Sequence, residues 1–212
     1  LILPYFLPAG RFIREIEGFA GEYLHAPVRI GSLRPHFLPA PHLVITDIEV
    51  GKQPYLKIRY LKVTPQLSSI LAERKIIREI QARGVTVGQQ LLVKVLRRIQ
   101  ETETAGPTPL WVKRIVVRDA SVVIPAFSLH DMQADLDLAQ DWRLVRAEIR
   151  SGTEDMRMTL LPQDQEFSLS LSAQHWKLPA GPPLMFTRLK ANGRINAAGL
   201  FLPMIRGQLY NG

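Results

Sequence analysis

Residues 28–87 read VRIGSLRPHFLPAPHLVITDIEVGKQPYLKIRYLKVTPQLSSILAERKIIREIQARGVTV. The spacing of apolar residues in this stretch decides the fold. Three strand-like segments come first, at Val28–Leu33, His42–Val50 and Tyr55–Val63. In the second and third, apolar residues recur at even positions: Val44, Ile48 and Val50, then Leu56, Ile58 and Tyr60. A period of two buries one face of a strand and leaves the other wet. Gly51, Pro54 and Pro65 mark the junctions, because neither residue type sustains a strand interior. A helical turn at Leu67–Arg74 and a fourth strand from Lys75 to Ala82 complete the stretch.

The same alternation continues downstream. Strands are expected at Leu110–Val117, Ala120–Ile124, Asp131–Leu138, Arg143–Arg150, Asp155–Leu160, Glu166–Ala173, Pro183–Arg194 and Leu200–Tyr210. Met132, Ala134, Leu136 and Leu138 alternate with Asp135 and Asp137, and Phe167, Leu169, Leu171 and Ala173 alternate with serines. Short strands joined by polar turns predict an antiparallel meander. Upstream, Gly10–Leu24 is an amphipathic helix with Phe12, Ile13, Ile16, Phe19, Ala20, Tyr23 and Leu24 on one face. Gln89–Glu103 reads as a second helix, and residues 102–109 (TETAGPTP) as a mobile loop.

The expected fold class is therefore mainly β (α+β), with an N-terminal amphipathic helix and one or two further short helices. About a dozen strands with one apolar face cannot be covered by so few helices. The sheet must curl into a barrel or sandwich, or keep an apolar inner face for something else.

Composition narrows the function. The chain has 212 residues, 46% of them apolar, no cysteine and a net charge of +8. Disulfides and thiolate metal sites are excluded. A basic surface attracts phosphate, on nucleic acid or on anionic lipid heads. Here the cations are scattered along strands (Arg29, Lys57, Arg59, Lys62, Arg78, Arg118), with no aromatic-interleaved nucleic-acid motif. The expectation is a membrane-proximal protein that does not bind nucleic acid.

No chemistry-bearing constellation stands out. Asp131, Asp135, Asp137 and Asp141 share one parity, which invites a Ca²⁺ or acid–base reading. The apolar residues between them argue for a solvated exterior instead. His25, His36, His42, His130 and His175 lack metal-ligand spacing, and phosphate loops, nucleophile elbows and zinc-protease helices are absent. No enzyme activity, metal or cofactor is expected. Asp47 and Gly51 read as structural, Asp47 satisfying backbone donors among apolar neighbours and Gly51 turning the chain.

The segment His25-Ala26-Pro27-Val28-Arg29-Ile30-Gly31, the strand Leu43-Val44-Ile45-Thr46-Asp47-Ile48-Glu49-Val50-Gly51 and the turn-to-strand Ile70–Ile80 follow one another. In that order, within residues 25–80 and after the apolar start and amphipathic helix that bring the pattern to about 80 residues, they resemble the opening of the AsmA family of bacterial envelope proteins. The chain departs from the family pattern in lacking a glycine near position 25 and in having Ala72-Glu73 where a glycine is common. The resemblance implies a single-pass bacterial inner-membrane protein with its bulk in the periplasm. Residues 1–8 would be the trailing end of a membrane anchor. Residues 9–212 would be a β-groove domain, truncated at its C-terminal end.

Such a curved groove implies an apolar trough for the acyl chains of phospholipid or another lipid, serving lipid transport and outer-membrane maintenance. With the even parity, the lining candidates are Val44, Ile48, Val50, Ile58, Met132, Leu136, Met156 and Met158. A rival reading is a scaffold for outer-membrane assembly that binds envelope proteins through its sheet edges.

Overall fold

The computed structural model describes residues 9–51, 55–69, 72–88, 110–124, 127–163, 166–177, 184–196 and 199–209. The expected anchor at 1–8, the helix at 89–103 and the loop at 102–109 lie outside the described residues.

Helix α1 (Ala9–Leu24) precedes β1 (Val28–His36), β2 (His42–Val50), β3 (Leu56–Pro65) and β4 (Lys75–Gly88). A 3-10 turn at Leu67–Ser69 links β3 to β4. Then come β5 (Leu110–Val112), β6 (Arg114–Ile124), β7 (Phe127–Leu138), β8 (Leu144–Ser151), β9 (Met156–Gln163), β10 (Glu166–Lys177), β11 (Met185–Asn196) and β12 (Gly199–Leu209). All twelve strands belong to one sheet, ordered β1-β2-β3-β4-β6-β7-β8-β9-β10-β11-β12, with β5 beside β4. The sheet is curved and does not close.

Neighbours pair antiparallel except around β4. β4 pairs parallel with both β5 and β6. The chain between Gly88 and Leu110 is long enough for the crossover that a parallel pair needs, which a two-residue hairpin could never supply. The sequence reading divided 110–124 at Val117 and Ala120. The strand instead breaks at Lys113 and runs unbroken through Asp119.

The two sheet edges differ. α1 packs on β1, and Glu17 Oε1 accepts a hydrogen bond from the outward backbone N–H of Ile30 at 2.7 Å. Ile13, Ile16, Glu17, Ala20 and Gly21 are half-buried among the described side chains of the helix, while Arg14 and Glu22 are exposed. A helix over an edge strand removes a template for unwanted pairing. β12, at the other edge, carries the exposed apolar side chains of Leu200, Phe201, Met204, Ile205 and Leu209.

Alternation by two fails at one place in strand after strand. Apolar residues of the same face stand three apart at Ile30/Leu33, Ile45/Ile48, Ile58/Leu61, Ala82/Val85, Val117/Ala120, Leu129/Met132, Ala173/Trp176 and Phe186/Leu189. Five of the eight pairs enclose a left-handed residue: Asp47 (φ 54°), Gly84 (62°), Asp119 (53°), Asp131 (51°) and His175 (50°). Gly31, Asp47, Arg59, Gly84 and Asp119 occupy one row, at which ladder pairing is interrupted. At Asp119 and Asp131 each strand holds one extra residue, and the two bulges restore the register. Aligned breaks of this kind bend the strands that carry them and crease the sheet along a seam perpendicular to the strands.

Candidate functional site: an apolar trough

Directly paired residues share a face, so the register traces each face across the sheet. On one side of the seam runs Leu33–Ile45–Leu61–Ala82–Val117–Ala134–Ile149–Met158–Leu171–Ala191–Ile205. Every member is apolar. A parallel row, Leu43–Val63–Ile80–Ile115–Leu136–Ala147–Leu160–Leu169, is apolar too. Across the seam, Ile30–Ile48–Ile58–Val85–Ala120–Met132 continues the same face. At about 4.8 Å per strand, the eleven-strand row is roughly 48 Å long.

Apart from α1 on β1, the substantial contacts between described elements are all between hydrogen-bonded neighbour strands. No second layer covers this face among the described residues, yet Val85, Met132, Met156, Leu169, Ala173 and Leu189 are buried on it. Buried side chains of β4, β6, β7, β9, β10 and β11 gather in one cluster on this face, as they do on the inner side of a curved sheet, and the crease forms the bottom of a trough.

Two kinds of residue line it. Small or recessed side chains such as Ala82, Ala120, Ala147, Ala173 and Ala191 are buried and form the floor. Larger ones, including Ile58, Leu61, Ile149, Met158, Leu171, Trp176 and Phe186, remain half exposed above it. An apolar wall that stays accessible can hold an apolar guest.

The sequence-based lining residues divide accordingly. Ile58, Met158 and Leu136 lie on the concave face and are half exposed. Ile48, Val50, Met132 and Met156 lie there as well but are buried at 8%, 3%, 8% and 5% exposure, so they pack the floor. Val44 is on the other face: it pairs with Arg34 and Lys62. The even parity fails there because left-handed Asp47 stands between Ile45 and Ile48 and exchanges the faces. Leu61, Ile149 and Leu171 were missed for the same reason or by incomplete extension of the pattern. The signal was present as apolar pairs three apart enclosing Asp, Gly or His, as in Ile45-Thr-Asp-Ile48, Ala82-Arg-Gly-Val85 and Val117-Arg-Asp-Ala120.

Asp47 itself is exposed rather than set among apolar neighbours, and its role is conformational. Gly51 has φ 100°, as its turn position requires.

The convex face is mainly polar. Its matching row runs Arg34–Val44–Lys62–Gln81–Val116–Asp135–Glu148–Thr159–Ser170–Asn192–Met204, polar at eight of eleven positions. Asp135 is not the solvated carboxylate its alternation implies. Its side chain is 15% exposed and accepts bonds from Arg114 (3.1 Å), Arg118 (3.2 Å) and Arg150 (2.8 Å). Burial alone raises its pKa, but the bonds from Arg118, Arg114 and Arg150 outweigh that and hold it below the usual carboxylate range. Glu148 binds Arg146 and Arg157 alongside it. The cluster stitches β6 through β9 on the outside. No group of three or more metal-ligating side chains occurs among the described residues.

No protein-family model and no curated protein sequence matches the chain. No described helix is long and apolar enough to cross a membrane. The reading of function rests on the trough.

Proposed function

We propose that the trough shields lipid acyl chains from water, with head groups left at its open rim, in a protein that moves phospholipid between the membranes of a bacterial envelope. The observation that carries this reading is the unbroken apolar row across eleven strands, roofed by no described element. Each CH₂ kept out of water is worth roughly 0.8 kcal/mol, so a 16-carbon chain gains on the order of 12 kcal/mol. Such a gain needs no catalytic residue. The AsmA-like opening sequence supports the envelope setting and the inner-membrane attachment.

The test is mass spectrometry of lipids that co-purify with the protein from a bacterial envelope. Stoichiometric phospholipid is expected in wild type and not in Met158→Asp, with both proteins folded. Equal lipid on both would remove the trough from consideration.

One observation favours a second reading. The β12 edge is long and apolar, with Arg206 as its single charged side chain, and it offers unpaired backbone to an added strand. Under that reading the protein is a scaffold for envelope proteins. A peptide complementary to β12 should then bind and protect its amides from exchange, whether or not lipid is present.

A further inference from the structure

The β1–β2 hairpin holds Phe37 and Leu38 out at its tip, 59% and 86% exposed. Leu67, 54% exposed, begins the turn of the next hairpin, between β3 and β4. Both tips lie at the same end of the sheet, because β1 to β4 alternate in direction, and they stand about 10 Å apart, two strand spacings. Two exposed cations stand beside them, Arg34 near the end of β1 and Lys75 at the start of β4, with Glu73 nearby, while the guanidinium of Arg74 is held by Gln140. His36 and His42 stack at 5.1 Å beneath the first tip.

These apolar side chains project at the hairpin tips. Exposed apolar points with cations beside them match the layering of a membrane surface, where acyl chains lie under anionic phosphates. We propose that the β1–β2 and β3–β4 hairpin tips insert into the interface of an anionic lipid bilayer. The end of the trough nearest α1 then rests on the membrane. The proposal concerns the partner of this rim and holds whether or not the trough carries lipid.

The chain lacks cysteine, so Leu38→Cys offers a single labelling position. An environment-sensitive dye there should shift to the blue with vesicles of phosphatidylcholine plus phosphatidylglycerol, and be quenched by brominated acyl chains. The same dye at Ser170→Cys, on the convex face, should not respond. Phe37→Ser/Leu38→Ser should bind those vesicles roughly tenfold or more weakly, given the apolar area lost, and keep any lipid held in the trough. A Leu38 dye that ignores the vesicles, or a double variant that binds them like wild type, overturns the proposal and leaves these tips to a protein partner.

Discussion

The guanidinium of Arg59 reaches across Gly84 to the carboxylate of Asp119, donating a 2.5 Å hydrogen bond from β3 to β6 over the intervening strand. A glycine lets the guanidinium lie directly over the strand. A Cβ there would stand 2.2 Å from Arg59 Nε, and the backbone is left-handed at φ +62°. The ion pair is exposed and contributes well under about 1 kcal/mol. The glycine matters more. Gly84→Ala should destabilise by roughly 1–2 kcal/mol from backbone strain and lower Tm by about 2–8 °C. Adding Arg59→Ala removes the crowding but not the strain. Thermal unfolding of the two singles and the double should recover only a minor part of the loss; full recovery would show that the seam imposes no strain.

Asp47 tests the seam from another side. Asp and Asn both tolerate the left-handed region, while a β-branched residue does not. Asp47→Asn should stay within about 0.5 kcal/mol of wild type in urea unfolding. Asp47→Val should cost more than about 1 kcal/mol, although valine favours strands. A stabilising Asp47→Val would mean that β2 runs straight.

Asp135 sets an acid limit. Its folded pKa is depressed, so its contribution is complete above the unfolded carboxylate value, near 4. That contribution is lost as pH falls through the lower folded value, because the unfolded chain takes the proton first. Asp135→Asn should cost about 2 kcal/mol at pH 7, by loss of charge-assisted bonds. The gap to wild type should narrow below pH of about 4. Urea melts at both pH values measure it, and a gap that is constant with pH would contradict the arginine clamp.

Floor and wall should respond differently to truncation. Met156 is buried and Met158, two residues along the same strand, is half exposed. Met156→Ala should cost about 2–5 kcal/mol through lost burial and a cavity. Met158→Ala, with no closed cavity to leave, should cost under about 1 kcal/mol. Equal costs would mean that the trough is a sealed core.

Much of the sheet was legible because alternation is a local property. His42–Val50 is delimited correctly by its pattern and its flanking proline and glycine, and most other strands begin within a few residues of their expected starts. Face assignment was harder. It depends on a left-handed residue at one position, and Asp47 in the middle of a strand reads equally as a polar interruption. Val44 was therefore placed inside and Leu61 overlooked. The parallel β4–β6 pairing was also out of reach, since local periodicity carries no information on strand direction. Asp135 looked solvated because its three arginine partners come from two other strands.

The most direct measurement is photo-crosslinking in cells. A benzophenone side chain at Met158 lies on the trough wall, and one at Val44 lies on the opposite face of the same sheet. With radiolabelled phosphate in the medium, the account predicts a labelled lipid adduct at Met158 and none at Val44. Adducts of equal yield at both positions, or none at Met158 in a folded protein, would contradict a lipid-carrying trough.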